Sequence, residues 1–293
     1  MLVPMKEILD KAVEKNCAVP ALWGGDLITS EAALMQAEEM KVPLIFLVHP
    51  AGCKMMGSPV TYFRYLSDMC RSVSVPVTMI LDHGRSYKQA CEFMSYGVPS
   101  LMFDGSTLPF EENVAATKEI VKMAHNAGIS VEGEIGHVGS MAESKTEGDG
   151  GSSIYTQPDE AVAFAEQTGV DALAISIGTM HGIYDFSPKL QIDLLKKIRA
   201  SVGKLPLVMH GGSGLPDDQF RLAVKNGINK VNYVTYMQNA ACSKIKDAVI
   251  EKIDVGKGKF SLNGAIEVAE ASIREEAKHL FELYDTVLLS SKD

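Results

Sequence analysis

Short continuous apolar runs alternate with amphipathic stretches along the chain, and glycine often marks the passage from one to the next. Gln89 to Tyr96 reads as helix, closes at Gly97 and leads into Ser100-Leu101-Met102-Phe103. The same order recurs from Glu112 to Ala127, with Gly128 and then Ile129 to Val131. It recurs again from Ala161 to Thr168 (Gly169, then Ala172 to Ser176) and from Gln219 to Asn226 (Gly227, then Lys230-Val231-Asn232). Glycine after a last helical turn accepts the left-handed backbone that ends a helix. Runs without polar alternation are what a parallel sheet covered by helices on its outside requires. Pro158 with Asp159 and Glu160, and Pro216 with Asp217 and Asp218, mark helix starts.

Eight strands are predicted in this way, near Ala18 to Ala21, Leu44 to Val48, Val77 to Leu81, Ser100 to Phe103, Val131 to Glu134, Ala172 to Ser176, Leu207 to Met209 and Lys230 to Asn232. Eight alternating units favour an α/β fold of the (β/α)8 TIM-barrel type. An open doubly wound sheet stays compatible, because periodicity does not register closure. Asn263 to Asp285 reads as an additional C-terminal helix, packed outside the barrel or against another subunit. No linker or shift of composition divides the chain, so residues 1–293 are expected to form a single domain.

Composition narrows the function classes. The 293 residues are 46% hydrophobic, enough for a large core, and carry a net charge of -9 with the basic residues scattered. Nothing in that charge suits nucleic acid. The apolar runs are strand-sized, which argues against a membrane span, and no signal peptide is read. Cys17, Cys53, Cys70, Cys91 and Cys242 form no close pair, the pattern of reduced thiols in a cytoplasmic protein.

The polar residues of interest stand at strand exits, where barrels of this type place their chemistry. Three histidines do so in three separate motifs: Leu81-Asp82-His83-Gly84, Gly178-Thr179-Met180-His181-Gly182 and His210-Gly211-Gly212-Ser213-Gly214. Imidazole is a common zinc ligand, and three of them leave a position open for substrate. His49 ends the second strand and could reach the barrel mouth, whereas His125 and His279 fall in helical stretches and His137 lacks such a context. Asp82 and His83 are adjacent, so a regular strand would turn them to opposite faces; at a strand end both can face the mouth. Asp82 is then either a general acid/base or the cap of the following helix, a role that Ser86 can take instead.

Val131-Glu132-Gly133-Glu134 puts two carboxylates on one face of the fifth strand, where burial demands a metal or a lysine as partner. Asp104 makes a similar case at the end of the fourth strand. Structural ion pairs would explain all three. The glycines after His210 precede a helix and suit an anion, with Asn232 and Thr235 as further donors. The glycine-rich stretch Gly139 to Ser153 is long for a connection and reads as an active-site lid or as an ordinary surface loop.

Together these motifs resemble the class II, zinc-dependent ketose-bisphosphate aldolases, which include the fructose- and tagatose-bisphosphate aldolases. The resemblance runs from about Val77 to Thr235, with weaker agreement at Ala18-Val19-Pro20-Ala21. Besides the three histidine motifs it rests on Asp104-Gly105-Ser106, Pro109-Phe110-Glu111-Glu112-Asn113, Glu132-Gly133-Glu134-Ile135-Gly136 and Lys230-Val231-Asn232. It implies a TIM barrel, a homodimer or homotetramer, that cleaves a ketose phosphate to dihydroxyacetone phosphate and an aldehyde. By the resemblance His83, His181 and His210 hold zinc, Glu134 contacts it in an alternative position, and Asp82 takes the C4 hydroxyl proton. Zinc would polarise the ketone and stabilise the enediolate. Gly182, Gly211, Ser213 and Thr235 would bind phosphate, Asn232 a substrate oxygen, and Asp104 and Glu132 would support the ligands.

The periphery departs from the family. Leu22-Trp23 replaces a Phe-Asn pair, His49-Pro50-Ala51-Gly52 lacks a phosphate-contacting serine, and Val234 and Tyr236 replace polar and acidic residues. The lid lacks its acidic pair after Gly-Gly, which leaves Glu143 as the candidate proton shuttle. Two alternatives follow: an aldolase for a non-phosphorylated or longer ketose, and a non-catalytic sugar-phosphate-binding homologue.

Overall fold

The computed structural model describes residues 1–50, 57–136, 155–180, 189–251 and 261–291. Eight parallel strands close into a barrel in sequence order. They are β1 (Val19–Trp23), β2 (Leu44–Val48), β3 (Val77–Gly84), β4 (Ser100–Phe103), β5 (Ser130–Ile135), β6 (Ala172–Ile175), β7 (Leu207–Met209) and β8 (Ile228–Tyr233). Closure is made by β1 on β8, with Ala21 opposite Asn232, and this excludes the open sheet. Around the barrel run α2 (Leu27–Met40), α3 (Pro59–Ser72), α4 (Tyr87–Ser95), α5 (Phe110–Asn126), α6 (Pro158–Thr168), α7 (Ile192–Val202), α8 (Asp217–Lys225) and α9 (Thr235–Val249). Among the described residues no helix is long and apolar enough to cross a membrane.

Among the described residues two α-helices lie outside this repeat. The first, α1 (Met5–Lys15), was not anticipated from the sequence pattern. Its Met5, Ile8, Leu9 and Ala12 pack with the inward residues of the strands, among them Val19, Ile45, Ile80 and Val208. Pro4 precedes the helix and offers no side-chain cap. The first-turn amides are satisfied instead by the barrel, as Met5 N–H donates to Ser100 Oγ (2.8 Å) and Lys6 N–H to Ser130 Oγ (3.2 Å). Both serines open their strands, so α1 plugs the barrel at its N-terminal end. The C-terminal helix α10 (Leu262–Leu283) packs on α2 and α9 of its own chain, with Tyr233 Oη donating to Glu276 (2.7 Å).

Inside the barrel the residues change character along the strands. Ile45, Ile80, Met102, Ala172, Ala174 and Val208 form the apolar lower part, closed beneath by α1. Toward the C-terminal ends the inward positions become Asp82, Asp104, Glu132, Glu134, His210 and Asn232, all buried. The period of two carries this switch without breaking any strand, since Ile80 and Asp82, or Val208 and His210, share a face.

Candidate metal and substrate site at the barrel mouth

Asp82 and His83 both reach the mouth because β3 is irregular there. Leu81 pairs with Leu101 and Gly84 with Phe103, so three steps on β3 oppose two on β4. The extra residue is a bulge. His83 absorbs it with φ +51°, a left-handed conformation that a non-glycine residue adopts at a cost. Ser86 accepts from Gln89 N–H (3.2 Å) and caps α4, so Asp82 does not serve as the cap.

The His83 and His210 rings meet edge to face, with their centroids 4.9 Å apart. His83 Nδ1–H donates to Asp104 Oδ2 (2.9 Å), and His210 Nε2–H donates to Glu132 Oε1 (2.9 Å). The remaining nitrogens, His83 Nε2 and His210 Nδ1, face each other at 3.2 Å. Asp104 is itself held by Ser106, whose hydroxyl donates to Oδ1 (2.6 Å). Glu132 accepts on its other oxygen from Lys230 Nζ (2.8 Å), and Lys230, Glu132 and His210 are all fully buried.

Glu134 behaves differently from Glu132, although the two share a face of β5. Its Oε2 is buried without a hydrogen-bond partner and lies 3.9 Å from His83 Nδ1 and 3.9 Å from His210 Nδ1. Burial, then the neighbouring charge of Asp104, raises its pKa to about 8. Burial also penalises ionised Glu132, but Lys230 and the His210 hydrogen bond outweigh it and hold the pKa at about 2. For His83, burial opposes the cation, yet Asp82, Asp104 and Glu134 prevail and lift its pKa to about 9. Burial lowers that of His210.

Among the described residues, four buried carboxylates (Asp82, Asp104, Glu132 and Glu134) confront one buried ammonium, that of Lys230. Ligand atoms of Asp82, His83 and His210 lie within 4.8 Å of one another, as do those of His83, Asp104 and Glu134. Carboxylate oxygens and imidazole nitrogens around an excess of buried negative charge make a donor set suited to a divalent cation.

The remaining sequence candidates divide into two groups. Asn232 lies on β8 with Nδ2 3.4 Å from Asp82 Oδ1, and its Oδ1 is buried without a partner. Ser213 Oγ accepts from Val234 N–H (3.2 Å), which fastens the glycine-rich turn after β7 to the start of α9 at Thr235. Gly211 has φ +65°, and a Cβ there would stand 2.5 Å from the Met180 carbonyl oxygen. The loops after β6 and β7 therefore touch backbone to backbone. His181, Gly182, His137, Glu143 and the stretch Gly139 to Ser153 lie outside the described residues.

Two residues of the mouth were left without a role by sequence reasoning. Lys230 was visible only as part of a motif, although it stands two positions before Asn232 and so shares its inward face. His49 continues the inward series Ile45 and Leu47, half-buried, and burial lowers its pKa against the opposing charge of Asp82. The two helical histidines hold surface roles, His125 with Asp171 (2.8 Å) and His279 with Asp217 (3.3 Å).

Known proteins resemble this chain over nearly its whole length. A family model described as fructose-bisphosphate aldolase class-II matches residues 3–287. A fructose-bisphosphate aldolase of Staphylococcus aureus is 35% identical over 279 residues, 94% of this chain and 96% of that protein. One of Geobacillus stearothermophilus is 36% identical over 256 residues, 87% of this chain and 88% of its own. The crystal structure of the YdjI aldolase from Escherichia coli K12 superposes with a TM-score of 0.85 at 30% identity, covering 99% of this chain and 100% of that one. The chain belongs to the class II fructose-bisphosphate aldolase family.

Proposed function

We propose that this class II aldolase is zinc-dependent and reversibly cleaves a ketose mono- or bisphosphate into dihydroxyacetone phosphate and an aldehyde. The observation that carries the reading is the pair His83 Nε2 and His210 Nδ1, 3.2 Å apart, each ring held through its other nitrogen by a buried carboxylate. A buried Glu134 oxygen without a partner stands beside them, so the residues present fit a divalent ion. His83 and His210 would hold it, with His181 as third ligand by family resemblance and Glu134 as the alternative one. When bound, the ion supplies Lewis acidity to the substrate carbonyl, where negative charge develops during cleavage.

The chain's own residues account for the remaining steps. Asp82 is a buried carboxylate at the mouth, next in sequence to a ligand, and would take the C4 hydroxyl proton and return it in the condensation direction. Asn232 orients Asp82 through Nδ2, and its unpartnered Oδ1 would accept from a substrate hydroxyl. The amides of Gly211, Ser213 and Thr235 suit a phosphate, because the turn after β7 and the N-terminus of α9 meet there. Gly182 joins them, and Glu143 acts as proton shuttle, on the resemblance alone. The homodimeric or homotetrameric assembly rests on the resemblance too, the cytoplasmic setting on the unpaired cysteines, and the single domain over residues 1–293 on the lack of a linker or shift of composition.

Metal analysis after mild dialysis should find about one catalytic zinc per chain. Release of dihydroxyacetone phosphate from a panel of ketose phosphates, through a coupled assay, would then identify the substrate. Full activity in a chelator-treated, metal-free sample refutes the zinc reading. Asp82→Asn should retain zinc and lose about 10²–10⁴-fold in cleavage rate, since the amide cannot accept the proton. A parent rate in this variant would assign the base elsewhere.

A further inference from the structure

Lys230 has no part in the chemistry above, yet it is fully buried in the barrel interior. A buried ion pair is a poor device for stability, because desolvation cancels most of the attraction and apolar residues would fill the space as well. What the pair does accomplish is geometric. Lys230 Nζ donates to Glu132 Oε2 (2.8 Å), which fixes the plane of the carboxylate and turns Oε1 toward His210 Nε2 (2.9 Å). An ionised carboxylate only accepts, so the proton of His210 must reside on Nε2 and the lone pair on Nδ1. Nδ1 is the nitrogen that faces His83.

We propose that Lys230 is a positioning residue for the metal site: it holds the Glu132 carboxylate in the orientation that sets the tautomer and ring position of His210, and so presents Nδ1 as the ligand atom. The inference rests on the metal-site reading above. It assigns the lysine of Lys230-Val231-Asn232 a task distinct from that of Asn232, which shares its face of β8 and whose Nδ2 donates to Asp82 Oδ1 (3.4 Å) and lies 3.3 Å from His210 Nε2. Supporting residues of this kind typically change metal affinity by about 10–100-fold when removed.

A substitution at Glu132 makes the inference sharp. In Glu132→Gln the ammonium of Lys230 takes the amide oxygen, which turns the amide NH2 toward His210. His210 must then accept on Nε2 and carry its proton on Nδ1, the wrong tautomer for the metal. In the double variant Lys230→Met with Glu132→Gln nothing imposes that orientation, and the amide oxygen is available to His210 Nε2–H. The expected order of zinc affinity is therefore parent, then the double variant, then Glu132→Gln.

The experiment has two readouts. Zinc affinity is measured by competition with a chromophoric chelator for the parent, Lys230→Met, Glu132→Gln and the double variant. Ring ¹⁵N shifts of the histidines are recorded on the same metal-free proteins and report the tautomer of His210 without any metal. The inference expects an Nε2–H tautomer in the parent, Nδ1–H in Glu132→Gln, about 10-fold or greater loss of zinc affinity in each single variant, and partial recovery in the double one. It is overturned if Lys230→Met binds zinc like the parent, or if Glu132→Gln keeps Nε2–H. If the parent binds no zinc, the metal reading fails, and the tautomer readout still decides the role of Lys230. Should Lys230→Met not fold, parent against Glu132→Gln decides it.

Discussion

Gly211→Ala tests the contact between the loops after β6 and β7. Gly211 has φ +65°, and Gly128, at the end of α5, has φ +71°. An L-residue in that conformation costs about 1–2 kcal/mol, and the cost is shared by both positions. They differ in surroundings. A Cβ at Gly128 meets nothing within 4 Å, whereas one at Gly211 would lie 2.5 Å from Met180 O and 2.7 Å from Met180 C. Carbon and carbonyl oxygen make contact near 3.3 Å, so one loop must retreat by about 0.8 Å. Overpacking of this kind adds about 1–3 kcal/mol, and a misplacement near 1 Å at a site costs about 10²-fold in rate. Gly128→Ala should thus lose about 1–2 kcal/mol, a few degrees in Tm, and keep its kcat/KM. Gly211→Ala should lose about 2–5 kcal/mol and about 10²-fold in kcat/KM. Thermal unfolding and steady-state kinetics on the two variants decide the matter. Equal losses of Tm, with parent kcat/KM in both, would show that the close approach of these loops does nothing for the site.

Other expectations concern the two ends of the barrel and the thiols. Ser100→Ala removes the acceptor of Met5 N–H and the partner of Thr78 Oγ1 (3.0 Å), and should cost about 1–3 kcal/mol in denaturant unfolding. Its kcat/KM should match the parent, because the α1 plug lies at the opposite end from the mouth; a large loss of activity would contradict that separation. Burial pushes the pKa of Cys17 and of Cys70 up to about 12, whereas Cys91 and Cys242 are exposed. Native-state alkylation near neutral pH should therefore label Cys91 and Cys242 and spare Cys17 and Cys70 until the chain is denatured, as peptide mass mapping would show. Rapid native labelling of Cys17 would mean that α1 opens readily.

Much of the architecture is legible in the local pattern. The runs Leu44 to Val48, Ser100 to Phe103 and Leu207 to Met209 coincide with β2, β4 and β7, because a strand buried on both sides must be apolar throughout. Placement of Asp82, His83 and His210 at strand exits follows from the same reading. Helix α1 escaped it, since its partners are the barrel interior and two serines about 95 and 124 residues away, which no local period reveals. Asp82 and His83 share the mouth only through the β3 bulge and the left-handed backbone of His83.

Spacing along the chain thus determined the alternation of strands and helices, the strand ends at which the chemistry lies, and which acids share a face, since periods of two and of about 3.6 are local properties. The residue pattern, apart from the family resemblance, left Glu132 and Glu134 equivalent, as two carboxylates on one face awaiting a metal or a lysine. Closure of the barrel separated them. It brought Lys230, 98 positions away, to Glu132 and His210, 78 positions away, to the same carboxylate. Glu134 was left with a buried oxygen that has no hydrogen-bond partner. A proton position or a pKa is set by whichever charges lie within a few ångströms, and only the tertiary structure decides which those are.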